Sequence, residues 1–203
     1  MPFNNIGEIL NNVKNVSSQI SSRLDLDSLS KSQAPLVFWV GCADSRVSPN
    51  LVTGTDLGDM FVHRNVANIA SLEDANFVSS MEYAVGVLKV KHLVVCGHSG
   101  CGGVNAAMNK AYPTPTIKNW LSKPEKDFEW VLKNSSKKLV EQDKLSFLAK
   151  HNAQTQIKGL LEHPLIKEAV SNGELTLHAL FYDIKSSSLE LLLTLDNDQV
   201  SAA

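Results

Sequence analysis

His92-Leu93-Val94-Val95-Cys96-Gly97-His98-Ser99-Gly100-Cys101-Gly102-Gly103 is the stretch on which the fold reading turns. Residues 92–96 read as the clearest strand of the chain, closed by Gly97. Gly102 and Gly103 then open onto Val104-Asn105-Ala106-Ala107-Met108, a helix start. A strand feeding a helix through a glycine-rich turn is a building unit of a parallel sheet. Working outward, Leu36-Val37-Phe38-Trp39-Val40 is a second such run, ending in Gly41, and Met60-Phe61-Val62-His63 a third. Ser71 followed by Asp74 marks a capped helix start. Helical spacing of Phe77, Met81, Ala84, Val85 and Leu88 carries that helix toward Val90. The fold class is therefore α/β, a mainly parallel central β-sheet flanked by helices.

The flanks add an arm and an edge. Ile6, Ile9, Leu10, Val13, Val16, Ile20 and Leu24 recur at a helical period before any strand signal, so their apolar stripe needs the main body or another subunit to cover it. Asp25 to Ala34 is polar and turn-rich, which predicts a linker. The organisation is an N-terminal helical arm over 1–33 and an α/β domain over 34–203. Three prolines between Ala111 and Lys126 (Pro113, Pro115 and Pro124) predict a loop with at most a short helix around Trp120. Residues 127–171 read as helical with a break at His163-Pro164. Leu175–Tyr182 and Leu189–Leu195, joined by Lys185-Ser186-Ser187-Ser188, predict a hairpin that gives the sheet an antiparallel edge strand.

Composition narrows the function classes. The 203 residues are 43% hydrophobic with a net charge of −2, so the chain packs a core and carries no global basic field for nucleic acid. No apolar run approaches the roughly 20 residues of a membrane helix. The opening MPFNNIGEIL has neither a basic n-region nor an unbroken apolar run, and the expectation is a cytoplasmic protein. Three cysteines are too few for a disulfide scaffold, and in a reducing compartment such residues near a histidine serve as metal ligands, nucleophiles or buried apolar groups.

Two clusters carry the chemistry. Cys42-Ala43-Asp44-Ser45-Arg46 follows the first strand, and His98-Ser99-Gly100-Cys101-Gly102-Gly103 follows the strand at 92–96. In a parallel sheet the ligand site lies at the carboxyl ends of the strands, where both clusters fall. Cys42, His98 and Cys101 make a Cys2His set, and three protein ligands plus an open fourth position is the pattern of a catalytic zinc site. Taken singly, each has a plainer role: Cys42 as a buried apolar residue, Asp44 and Arg46 as a surface ion pair, the glycine-rich turn as an anion cradle.

At this point the sequence resembles the β-class carbonic anhydrases. The carrying segments are CADSRV at 42–47, FVHRNVAN at 61–68, EYAV at 82–85 and VVCGHSGCGGV at 95–104, with looser support from IKNWL at 117–121 and LHALFYDI at 177–184. The resemblance spans roughly residues 36–195. It implies one zinc ion per subunit held by Cys42, His98 and Cys101, a catalytic dyad of Asp44 and Arg46, and an arm that embraces a second subunit in a homodimer or higher homo-oligomer. The implied activity is that of a lyase, reversible hydration of carbon dioxide to bicarbonate and a proton by zinc-bound hydroxide.

Two thiolates cancel the formal charge of the ion, so it acidifies water less than the three-histidine sites that bring the pKa to about 7. An ionised Asp44 compensates by accepting the hydroxide hydrogen, and Arg46 keeps Asp44 charged and oriented. Released by Arg46, Asp44 becomes a possible fourth zinc ligand in a closed state. By resemblance Phe61, Val62, Tyr83, Gly102 and Gly103 line the substrate pocket. Trp39, Arg64 and Tyr182 match a regulatory bicarbonate site found in some members, whose signature is cooperative inhibition. Ala179 and Leu180 depart from the Gly and Trp of many relatives. His63, His92, His151, His163 and His178 lack metal-ligand spacing, though an imidazole among them has the pKa for proton shuttling. Cys96 is read as a buried apolar residue.

Four other readings compete. Gly97-His98-Ser99-Gly100-Cys101 approaches the nucleophile elbow of a serine hydrolase, but Cys101 replaces its last glycine and no histidine follows Asp183. A non-catalytic zinc or bicarbonate-binding protein, or a small-molecule hydrolase acting on carbon disulfide, would use the same fold. A thiol redox role for Cys101 lacks a resolving cysteine at C-x-x-C spacing.

Overall fold

A computed structural model describes residues 3–134 and 141–201. Residues 1–33 and 34–203 form two compact units. The first holds helices α1 (Ile6–Ser21) and α2 (Leu26–Lys31). Asn5 caps α1 by accepting from the Glu8 N–H, and the α1 apolar stripe of Ile6, Ile9, Leu10, Val13 and Val16 is exposed. The segment expected to be a linker contains α2, because Asp25 accepts from the Ser28 N–H and starts a six-residue helix in a polar run.

The second unit is built on a five-stranded sheet, β1 (Val37–Cys42), β2 (Met60–Asn65), β3 (His92–His98), β4 (Thr176–Asp183) and β5 (Ser188–Leu195), in the order β2-β1-β3-β4-β5. The first four are parallel, and β5 pairs antiparallel with β4 through the expected turn, with a register shift at Ala179/Leu180. The chain leaves β1 for one neighbour, β2, and then crosses to the other, β3. This reversal puts a crevice at the carboxyl end of β1.

One sheet face is packed deeply. Phe38, Val40, Leu93, Val95, Leu177 and Ala179 meet Phe77 and Met81 of α4 (Ala75–Glu82), Ala153 and Ile157, and Ile166 and Val170. Each such large side chain contributes about 1.5–3 kcal/mol on burial. The other face carries a smaller cluster of Trp39, Val47, Val94, Cys96 and Tyr182. Between the strands run α3 (Pro49–Thr53), α5 (Gly102–Asn109), α6 (Pro115–Trp120), α7 (Ser122–Asn134), α8 (Glu141–Gly159), α9 (Pro164–Ser171) and, last, α10 (Asn197–Ser201).

Several expectations need correction. Asp74, not Ser71, caps α4; it accepts from the Asn76 N–H. The helix then widens into a π turn over Tyr83–Val87 capped by Leu88, and Lys89 just beyond it has φ 57°. The proline-rich loop is largely helical: Thr114 caps α6 with Pro115 in its first turn, and Pro124 sits in the first turn of α7, where a missing N–H costs nothing. The expected helix through 135–140 lies outside the described residues. The break at His163-Pro164 is the cap and first residue of α9. Among the described residues no helix is long and apolar enough to cross a membrane.

Candidate metal centre

Cys42 is the last residue of β1, His98 the last of β3, and Cys101 the N-cap of α5. β1 and β3 are parallel neighbours with Gly41 opposite Cys96, so Cys42 stands level with Gly97 and His98 one residue further along the same carboxyl edge. Gly100, at φ 65°, supplies the left-handed step that folds Cys101 back toward them. The three ligand atoms lie within 4.8 Å of one another, and all three residues are buried.

The atoms fit a zinc ion. The Cys42 and Cys101 sulfurs are 3.9 Å apart. Two sulfurs each about 2.3 Å from one tetrahedral ion would stand roughly 3.8 Å apart. The His98 Nδ1 lies 3.0 Å from the Ser99 carbonyl, which can only accept, so Nδ1 carries the hydrogen. Nε2 is then a bare acceptor, fully buried and without a partner. Leaving such an atom unsatisfied costs about 1–3 kcal/mol, and a cation at this position removes the cost.

Charge is arranged around the ligands. The Cys42 thiol is pulled well below its ordinary range, chiefly by a hydrogen bond from Cys101, with smaller help from the Asp44 and Ala67 N–H groups; burial opposes the shift. Cys101 is pushed up because it keeps the shared proton. Its own sulfur faces the Gly103 and Val104 N–H groups at the start of α5, where the helix dipole also favours negative charge.

Asp44 sits beside the histidine, with Oδ2 3.9 Å from Nε2. Arg46 grips it through two parallel bonds, Nε to Oδ1 at 2.9 Å and a terminal nitrogen to Oδ2 at 2.7 Å, and adds its own N–H at 3.0 Å. The same guanidinium donates to the Gly100 carbonyl at 3.2 Å, tying the two clusters together. This pairing holds the Asp44 carboxyl far below the usual carboxylate range. Arg64 donates to the carbonyls of Cys42, Asp44 and Val47, which pins the loop carrying the dyad.

The chain matches the carbonic anhydrase family model over residues 37–189. It belongs to the β-class carbonic anhydrases. A carbonic anhydrase of Pseudomonas aeruginosa is 36% identical over 170 residues, covering 81% of this chain and 76% of the relative. The solved β-carbonic anhydrase CafA of Aspergillus fumigatus superposes with a TM-score of 0.87 at 31% identity, covering 97% of this chain and 95% of that one. One of two tetrameric β-carbonic anhydrases from Sordaria macrospora gives 0.81 at 33% identity, covering 93% and 96%.

The other expected site residues of this carbonic anhydrase are spread more widely. Phe61 and Tyr83 meet in a tilted pair with 5.8 Å between ring centroids, while Val62 points to the opposite face of β2. A Cβ on Gly103 would come within 2.9 Å of the Ala67 Cβ, so that glycine serves close packing of α5 against the Val66–Asn68 turn; Gly102 has open space. Trp39 and Tyr182 share a buried cluster, the Trp39 Nε1 has no partner, and the Tyr182 hydroxyl meets Ser187 Oγ at 3.0 Å.

Ser99 Oγ accepts from the Ile184 N–H and donates to Asp183, a structural tie rather than a nucleophile. His92 pairs with His178 at 3.1 Å and His151 with Asp127 at 2.8 Å. His163 meets Glu82 at 3.4 Å, and His63 packs its ring on Phe77. Cys96 is buried, its thiol pushed up to about 12 by desolvation. Sequence reasoning missed the Ala67 N–H that faces Cys42, because an alanine gives no local sign of a left-handed turn; Ala67 has φ 66°.

Proposed function

We propose that this carbonic anhydrase hydrates carbon dioxide with one zinc ion per subunit held by Cys42, His98 and Cys101, and that Asp44 and Arg46 form its catalytic dyad. The observation that carries the reading is the unpartnered, buried His98 Nε2 beside two sulfurs at a metal-spanning distance. Zinc bound there supplies the Lewis acidity that makes water nucleophilic near neutral pH.

The remaining work falls to the chain. Asp44, ionised and aimed past His98, accepts the hydrogen of the attacking oxygen and so turns a lone pair toward the carbon of the substrate. Arg46 fixes the carboxylate plane and, while it does, keeps Asp44 from serving as a fourth ligand. Arg64 holds the loop beneath both. Phe61 and Tyr83, which pair beside Phe38 rather than at the Cys42 end of β1, would offer an apolar wall for a small uncharged substrate across a subunit boundary. Stopped-flow carbon dioxide hydration tests the proposal. Activity should vanish after dialysis against a zinc chelator and return with stoichiometric zinc; a rate indifferent to the chelator would refute it.

The exposed stripe of α1 supports a homo-oligomer in which the arm lies on a second subunit, in keeping with the tetrameric relatives of Sordaria macrospora. Deleting residues 1–33 should lower the mass seen by light scattering to that of a smaller assembly, and an unchanged mass would remove the arm from this role. Three free cysteines suit a reducing, cytoplasmic setting. A second bicarbonate site at Trp39, Arg64 and Tyr182 has the free Trp39 Nε1 in its favour. Cooperative inhibition by bicarbonate would mark it.

A further inference from the structure

Cys42 and Cys101 stand on different elements, so their sulfur separation of 3.9 Å depends on what fixes the start of α5 against the carboxyl end of β1. One part of that frame is the Val66–Asn68 turn. It continues directly from β2, whose last residue, Asn65, lies opposite Cys42 and accepts from the Ala43 N–H at 2.8 Å. Three side chains pin the turn. Asn65 clips it through two bonds of 2.7 Å, Oδ1 accepting from the Ile69 N–H and Nδ2 donating to the Ile69 carbonyl. The Trp120 indole N–H donates to the Val66 carbonyl at 2.8 Å, and buried Asn152 donates to the Ala67 carbonyl at 2.9 Å. Ala67 is held there at φ 66°, a conformation that a residue with a Cβ adopts only when its surroundings impose it.

The start of α5 rests on this turn at Gly103, two residues after Cys101. A Cβ at 103 would stand 2.8 Å from Val66 Cγ1, 2.9 Å from the Ala67 Cβ and 3.2 Å from the Ala67 nitrogen. Relaxed carbon contacts lie at about 3.5–4.0 Å. Valine is stiff and the other two atoms belong to the pinned turn, so the helix would have to give way. Gly102 is the contrast, in the same helical turn but with nothing near its missing Cβ. Neither glycine has a positive φ, and helix propensity favours alanine over glycine at both. Glycine at 103 therefore answers to space, and the space lies between the two segments that carry the sulfurs.

We propose that Gly103 is a positioning residue of the metal centre. By letting α5 seat on the Val66–Ala67 turn, it fixes the Cys101 sulfur at a metal-spanning distance from the Cys42 sulfur. The inference rests on the zinc reading above and gives Gly103 a task apart from lining a substrate pocket. Bulk at 103 lifts the first turn of α5, spreads the sulfur pair and weakens the hold on the ion, whereas bulk at 102 leaves it unchanged.

Zinc affinity, measured by competition with a chromophoric chelator, tests this. In Gly103→Ala it should fall roughly 10- to 100-fold, the range for groups that orient metal ligands, and the ligand-field bands of the cobalt(II) form should shift. Gly102→Ala should match wild type in both. Gly103→Ala in a Val66→Ala/Ala67→Gly background, which removes the two carbons it would strike, should recover most of the affinity. That combination carries the test even where Gly103→Ala alone does not fold. Equal losses at 102 and 103, or no recovery in the roomier background, would overturn the inference. So would a lower melting temperature of metal-free Gly103→Ala with wild-type zinc affinity and cobalt bands, which marks packing alone. Wild-type protein that takes up cobalt without any sulfur charge-transfer band would overturn the zinc reading itself.

Discussion

Cys42→Ser is expected to purify with less than about a tenth of a zinc per chain and to lose hydration activity by roughly a thousandfold or more, since the nucleophile at neutral pH depends on the ion. The argument is geometric. Cys42 and Cys101 are the two sulfurs spaced for one ion, and a serine hydroxyl neither ionises near neutral pH nor reaches as far as a thiolate. Folding should survive, because Cys42 sits at the end of β1 and contributes little to the large core on Phe38 and Val40. Elemental analysis and stopped-flow assay on the same sample check both halves. Retained zinc with normal activity would remove Cys42 from the ligand set.

Asp44→Asn is expected to behave oppositely, keeping zinc near one per chain while the rate falls about 10²- to 10³-fold, the scale of a lost proton acceptor. Asparagine keeps the shape but loses the charge that Arg46 grips through two bonds. The pH dependence separates this from a metal effect. The folded carboxyl titrates below its ordinary range, so Asp44 is already ionised from mildly acidic pH upward. The carboxylate form persists to pH below the ordinary carboxylate range, whereas the stability its pairing provides is complete only above that range and is lost progressively as pH falls from the ordinary value toward the folded one. The deficit of Asp44→Asn should therefore be constant from mildly acidic to alkaline pH. Recovery at high pH, or full activity, would contradict the role assigned to the carboxylate.

Both residues are legible in the sequence because the chemistry sits where chain and fold share a signal. The apolar runs at Leu36–Val40 and His92–Cys96 end in glycine, and the structure places Cys42 and His98 as the last residues of β1 and β3. The edge hairpin reads equally well, since its turn of lysine and serines separates two runs of period two. Proline was the less reliable guide. Pro115 and Pro124 punctuate residues 111–126 strongly, yet each lies in a first helical turn, where proline is at home. Six-residue α2 and five-residue α3 are too short for periodicity to register.

The contacts that finish the site are not local at all. Arg64 is 22 positions from Cys42, Trp120 is 54 from Val66, and Asn152 is 85 from Ala67, and each donates to a main-chain carbonyl. Carbonyls are the same on every residue, so no side-chain pattern announces such bonds. They become visible only when the sheet order brings the segments together.

Zinc K-edge X-ray absorption on freshly purified, active protein tests the central claim most directly. The expected spectrum shows one zinc per chain with two sulfur neighbours at about 2.3 Å and light nitrogen or oxygen neighbours near 2.0–2.1 Å completing four. A first shell with no sulfur, or active protein with no zinc, would contradict it.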